Sequence, residues 1–199
     1  MKKNLILLFI LLFVFCGKKK STGPDINEII NSLINEGWSL YSSKDYSNAV
    51  IKFGEIFKYD NTNTDAYIGV GWCYARLAFG SGDQKYNLAQ ENFEKALVKE
   101  PDNLDALAGL ALVLIVKNHY EDAINAAQSV LEKDSNYVFK RDNQISAGDL
   151  ILILAQAYYY LGNYEKAADQ LDIIDPGNYH PANKPETLLT QIQALWGNV

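Results

Sequence analysis

Apolar residues recur through the body of the chain in sets spaced four and then three apart, and each set is centred on a small residue. The sets are Leu33/Gly37/Leu40, Tyr67/Gly71/Tyr74, Leu107/Ala111/Leu114 and Ile151/Ala155/Tyr158. An i, i+4, i+7 stripe is one face of an α-helix, so four helices are predicted. A second pattern, Tyr-x-x-Ala, follows each of them, at Tyr46/Ala49, Tyr86/Ala89, Tyr120/Ala123 and Tyr164/Ala167. It continues apolar through Phe53 and Ile56, Phe93 and Ala96, Ala127 and Val130, and Leu171 and Ile174. Four more helices are therefore expected, each paired with the one before it. Small residues on both members of a pair let the backbones approach, and the tyrosine fills the corner where the second helix begins. Asp25-x-x-Glu28, Thr62-x-x-Asp65, Asp102-x-x-Asp105 and Ser146-x-x-Asp149 resemble capping boxes and mark the predicted starts of the first helices.

Three features interrupt or end this rhythm. Gly71 stands fifteen rather than nine residues before its tyrosine, so six extra residues extend the second turn around Phe79-Gly80-Ser81-Gly82-Asp83. Ten more, residues 138–147, separate the third and fourth pairs and include Lys140 and Arg141. Beyond the fourth pair, Asn183-Lys184-Pro185-Glu186 reads as a helix start, and Leu188, Leu189, Ile192, Leu195 and Trp196 then share one apolar face. A further match, Tyr179/Ala182, has Gln170 nine residues before it and lies among prolines, so it is not counted as a pair.

This grammar resembles the tetratricopeptide repeat family, whose 34-residue units are helix–turn–helix pairs. The resemblance implies an all-α, right-handed helical-hairpin solenoid of about four units within residues 25–183. The units are 30–63, 64–103, 104–137 and 148–181, and residues 184–199 form a capping helix over the last open face. Pro101 alone matches the family's proline between units; Asn61, Ser135 and Tyr179 stand there in the others.

The first residues differ in character. Lys2 and Lys3 precede an apolar run over residues 5–15 that stops at Cys16, and the polar stretch after it contains Lys18, Lys19 and Lys20. A charged start and a short apolar centre read as a signal peptide over residues 1–15. As a helix, Leu5 to Cys16 would reach about 18 Å, against a hydrocarbon core of roughly 30 Å, so it is too short to span a membrane. Cys16 resembles the acylated cysteine of bacterial lipoproteins, although Phe15 departs from the small residue usual before it. That resemblance implies lipidation of Cys16, a tether over residues 16–24, and a protein held at a bacterial envelope membrane, the outer membrane facing the periplasm. An ordinary signal peptide that happens to end in a cysteine is the alternative.

Charge and side-chain chemistry narrow the function. The formal charge is −6, and without residues 1–15 the balance is 16 basic against 24 acidic residues. A body this acidic repels phosphate backbones, so nucleic acid is not an expected partner. Only His119 and His180 could act as imidazole bases or ligands, and both are expected to be solvent-exposed turn residues. Gly80-Ser81-Gly82 lacks the lysine and serine of a phosphate loop. Neither an enzyme activity nor a metal or cofactor is expected, and Cys73 reads as a small core residue.

A second stripe runs one residue along from the packing stripe on each first helix: Ile34/Trp38/Tyr41, Ile68/Trp72/Ala75, Ala108/Leu112/Ile115 and Leu152/Gln156/Tyr159. In the family that this chain resembles, such positions face a concave groove that receives a peptide. Trp38, Tyr41, Trp72, Leu112, Ile115 and Tyr159 are accordingly the expected partner-binding residues. The competing reading is that the stripe packs unit against unit or lies under the last helix. The family's clamp for terminal carboxylates needs lysine and asparagine where Ile34 and Trp38 stand, so that clamp is absent. The function expected is a non-catalytic scaffold binding a segment of an envelope protein. Carbohydrate binding through aromatic stacking is the alternative.

Overall fold

The computed structural model describes Gly23 and residues 25–78, 83–142 and 145–197. The signal peptide, Cys16, nearly all of the tether and the extra residues 79–82 lie outside the described residues. Within them the chain forms α1 (Ile26–Ser42), α2 (Tyr46–Ile56), α3 (Thr64–Ala78), α4 (Asp83–Lys99), α5 (Leu104–Val116), α6 (Tyr120–Lys133), α7 (Ala147–Tyr160), α8 (Tyr164–Ile174) and α9 (Pro185–Trp196). Each of the first eight helices packs on the helix that follows it in sequence. In addition α1 meets α3, α3 meets α5, α5 meets α7 and α7 meets α9, whereas the second helices do not meet one another. The odd-numbered helices therefore form the tighter, inner layer of an all-α solenoid. α9 takes the place that a fifth first helix would occupy and also contacts α8. Leu188 and Ile192 are buried there, so α9 covers the apolar face that the fourth hairpin would otherwise expose.

Small and large residues interlock at the helix crossings. Phe53 of α2 is fully buried between Gly37 of its own hairpin and Gly69 of the next; a Cβ added at either would lie 2.6 or 2.5 Å from its ring. Phe93 of α4 sits the same way between Gly71 and Gly109, at 2.7 and 2.2 Å. In the third hairpin Ala127 takes the phenylalanine's place, and Ala111 and Ile153 stand at the glycine positions. Volume lost on one helix is returned on its neighbour, which keeps the crossing filled.

The turns inside the first, third and fourth hairpins share one conformation. Lys44, Asn118 and Gly162 adopt φ of 63°, 61° and 77°. In each, two consecutive N–H groups close the helix end, Lys44 to Tyr41 and Asp45 to Leu40, with equivalents at Asn118/His119 and Gly162/Asn163. Two helix starts fall one residue later than the capping boxes predict. Asn63 Oδ1 accepts the Ala66 N–H at 3.0 Å, and Asn103 Oδ1 accepts that of Ala106 at 3.1 Å. Thr62 is instead held in the preceding turn by Asp60, which accepts its N–H at 3.0 Å. The Ser146 box forms as expected, with Asp149 accepting the Ser146 N–H at 2.7 Å.

His119 is exposed, but His180 is buried, contrary to expectation. Its Nδ1 lies 3.2 Å from Gln191 Oε1 and its Nε2 lies 3.0 Å from the Asp175 carbonyl. The folding back of α9 closes the loop over this ring, and the imidazole ties the two together.

Candidate partner-binding groove

The inner layer presents the second stripe as predicted, but its aromatic end is not open. Residues 137–142, the last residue of the third unit and the first five of the ten-residue insertion, lie in it. The segment folds on itself: Phe139 N–H donates to Ile145 O at 2.8 Å, Ala147 N–H to Tyr137 O at 2.7 Å and Asp142 N–H to Phe139 O at 3.0 Å. That leaves its side chains to meet the groove.

Phe139 is fully buried. Its ring stacks on Trp72, with centroids 4.5 Å apart and planes 19° apart. It meets Trp38 edge-on at 5.9 Å and Tyr41 at 6.4 Å. Trp38 and Trp72 come from adjacent units and stand on the same face, so together they form a slot one aromatic ring wide. Arg141 places its guanidinium 5.1 Å from the Trp38 ring centre, close enough for a cation–π attraction.

Polar groups fix the segment on either side of the slot. Asp142 accepts from Arg76 of α3 and, at 3.1 Å, from the Tyr41 hydroxyl. Arg76 Nε donates to the same hydroxyl at 3.2 Å. Burial raises the Tyr41 pKa well above its usual value, so the phenol keeps the proton that it donates to Asp142. Tyr137 donates to Asp105 Oδ1 at 2.9 Å, and Trp72 Nε1 donates to the Asp105 carbonyl at 3.2 Å. Burial also raises Asp105, partly opposed by the Tyr137 hydroxyl bond. Trp38 Nε1, by contrast, is buried with no acceptor among the described residues.

These contacts correct the expectation of an open groove at several of the six residues. Trp38 is 5%, Tyr41 2%, Trp72 0% and Ile115 3% exposed. The physical reason at the aromatic end is Phe139, which shields both indoles and Tyr41 from water. Leu112 stays half-buried on the stripe. Tyr159 is also half-buried, but its ring neighbours are Tyr160 at 5.4 Å and Tyr164 at 5.3 Å, so it belongs to a separate tyrosine cluster at the turn of the fourth hairpin. Sequence reasoning thus placed Trp38, Tyr41 and Trp72 together and missed Arg76, Asp105 and the occupying segment. The available signal was Tyr137-Val138-Phe139, an apolar run inside a stretch read as a loop. With the segment in place neither indole presents an open face on which a sugar ring could stack. Among the described residues no group of three or more His, Cys, Asp or Glu could hold a metal ion. None of the described helices is long and apolar enough to cross a membrane.

Comparison with known proteins agrees with this architecture. The tetratricopeptide repeat family profile matches residues 82–140, which run from the start of α4 into the occupying segment. Residues 82–140 are thus tetratricopeptide repeat sequence, and the fold around them is a tetratricopeptide-type solenoid. Its sequence is 26% identical over 166 residues to the RNA polymerase-associated protein CTR9 of Caenorhabditis elegans, covering 70% of this chain and 14% of that protein. The solved structure of MamA superposes with a TM-score of 0.63 at 18% identity, covering 86% of this chain and 90% of that one. An O-GlcNAc transferase of Thermobaculum terrenum superposes with a TM-score of 0.58 at 16% identity, over 76% of this chain and 27% of that enzyme. At such identities the two structures share the fold with this chain and nothing more. A repeat array of this class supports a role as a protein–protein interaction scaffold.

Proposed function

We propose that this scaffold works at a bacterial envelope membrane, held there by a lipid on Cys16, and that its inner groove receives an extended segment of a protein partner. One observation carries the groove: residues 137–142 of the chain itself already lie in it, bound through side chains alone. A groove that orders one such segment has the dimensions and chemistry to order another. Two large aromatics with adjacent charged groups are also what binding hot spots use. The acidic balance argues against nucleic acid as the partner. The envelope setting rests on the apolar run that ends at Cys16, and the outer membrane facing the periplasm is the membrane proposed.

The test is site-specific photo-crosslinking in the native envelope. A crosslinking side chain at Leu112 on the inner stripe should capture one defined protein, identified by mass spectrometry. The same group at Val98, 85% exposed and on a second helix, should not capture it. Adducts from Val98 alone, or none from Leu112, would refute groove binding.

A further inference from the structure

We infer that residues 137–142 are a built-in ligand, and that the groove selects segments in which an aromatic residue is followed three positions later by a carboxylate. This rests on the groove reading above and names the chemistry of the partner. It also makes the insertion a competitor that the partner must displace.

The reasoning starts from how the segment is held. Its backbone hydrogen bonds among the described residues run to its own neighbours, including Tyr137 N–H to Asp134 O and Ile145 N–H to Asp142 O. The groove therefore recognises it by side chains, and a second chain offering the same side chains at the same spacing meets the same partners. Two positions dominate. Phe139 fills the slot between the indoles, where burial of an aromatic ring is the largest apolar contribution the segment makes. Asp142 meets a guanidinium and a phenol that are themselves partly buried, with side-chain exposures of 14% for Asp142 and 24% for Arg76. A charged hydrogen bond at such a site discriminates strongly, because a ligand without the carboxylate leaves Arg76 unpaired. Lys140 and Val138 point outward and are exposed, so they add little selectivity.

The built-in ligand is also incomplete. It buries Trp38 and leaves the indole N–H without an acceptor among the described residues, whereas the equivalent N–H of Trp72 is met by the Asp105 carbonyl. A partner segment that supplies a carbonyl to Trp38 recovers a hydrogen bond that the insertion forgoes. That difference gives displacement a driving force. The insertion's advantage is its tether, which holds it at an effective concentration that a free segment must exceed.

The experiment uses a labelled peptide with the sequence of residues 135–142, Ser-Asn-Tyr-Val-Phe-Lys-Arg-Asp. Binding is compared between the mature chain and a variant in which residues 138–142 are replaced by a Gly-Ser run of equal length. The peptide should bind the variant at least about tenfold more tightly than the parent, since the competitor is gone. Replacing the peptide's Phe by Ala, or its Asp by Asn, should each weaken binding about tenfold or more. Arg76→Met in the variant should abolish the preference for Asp and leave that for Phe. A folded variant that ignores the peptide, or binds a scrambled one equally, overturns the inference. Should the variant not fold, hydrogen exchange in the parent decides. The Phe139 and Ala147 amides should exchange at least about tenfold faster than those in the centres of α5 and α6, by local release of the segment. Exchange only together with those helices would make the segment a fixed part of the core and overturn the inference. A crosslinked partner that lacks the aromatic-x-x-carboxylate order would overturn it too, while leaving groove binding intact.

Discussion

Two glycines, given the same substitution, should differ in stability: one gains and the other does not. Gly54 lies in α2 and a Cβ added there meets nothing within 4 Å. Gly109 lies in α5, and a Cβ there would come within 2.2 Å of Phe93 Cζ and 2.5 Å of Cε1. In a helix interior Gly→Ala gains about 1 kcal/mol through backbone entropy. Gly54→Ala should realise that gain in full. At Gly109 the same gain is opposed by a contact far inside the roughly 3.5–4.0 Å of ordinary carbon separation. Phe93 cannot retreat, because Gly71 closes its other side, Trp72 meets it edge-on at 5.5 Å and no part of it is exposed. Overpacking of that kind costs about 1–3 kcal/mol, so Gly109→Ala should be neutral to destabilising by about 2 kcal/mol once the propensity gain is subtracted. Urea unfolding followed by tryptophan fluorescence measures both. The combination with Phe93→Leu supplies the control: the smaller side chain admits the new methyl, so Gly109→Ala should cost less in that background. A stability rise for Gly109→Ala equal to that for Gly54→Ala would refute the interlocked crossing.

Three further outcomes are expected. Cys16→Ser should release the mature protein from membranes on fractionation; unchanged membrane association would rule out a lipid anchor at that cysteine. Lys44→Gly should raise the urea midpoint by an amount equivalent to roughly 1 kcal/mol, because Lys44 holds φ at 63°, a conformation that costs an L-residue about that much; an unchanged midpoint counts against the shared turn. Cys73 is pushed up from its usual 9.0 to about 12 by burial. The unfolded thiol ionises first, so the stability this group contributes is intact below pH 9 and is lost as pH rises from 9 toward 12; the parent should lose stability over that range that Cys73→Ala retains, and equal losses would refute it.

The fold was legible because its decisive signals are periodic. Gly37, Ala111 and Ala155 each stand nine residues before the tyrosine that follows, Gly71 is displaced only by the six extra residues, and the same spacing that packs a hairpin announces it. What escaped were the features outside that period. Asn63 and Asn103 outcompete Thr62 and Asp102 as caps because Asp60 already holds Thr62 and because Asp102 ion-pairs with Lys133. His180 looked like a loop histidine until α9 folded back and supplied Gln191. The groove was half legible: Trp38, Tyr41 and Trp72 belong to a helical stripe, but Phe139 sits in an insertion. A repeat-based reading assigns an insertion to loop by construction, so nothing in the period says that its aromatic residue turns inward.

The occupying segment also changes what kind of solenoid this is. In a repeat array each unit contacts only its neighbours, and stability is close to a sum of local terms. The bond from Tyr41 to Asp142 joins residues 101 apart, and that from Arg76 to Asp142 joins residues 66 apart. Through Phe139 and Asp142 the junction between the third and fourth hairpins is fastened to the first and second, across the inner face rather than along the stack. An apolar stripe carrying two tryptophans would otherwise form an exposed patch of the sort that soluble proteins seldom leave bare. The insertion therefore does two things at once: it covers that patch, and it ties the first and second hairpins to the junction between the third and fourth. Anything that takes the groove must replace both, burying an aromatic ring in the slot and pairing Arg76. The side chains that hold the array closed are thus the same ones that would specify what opens it.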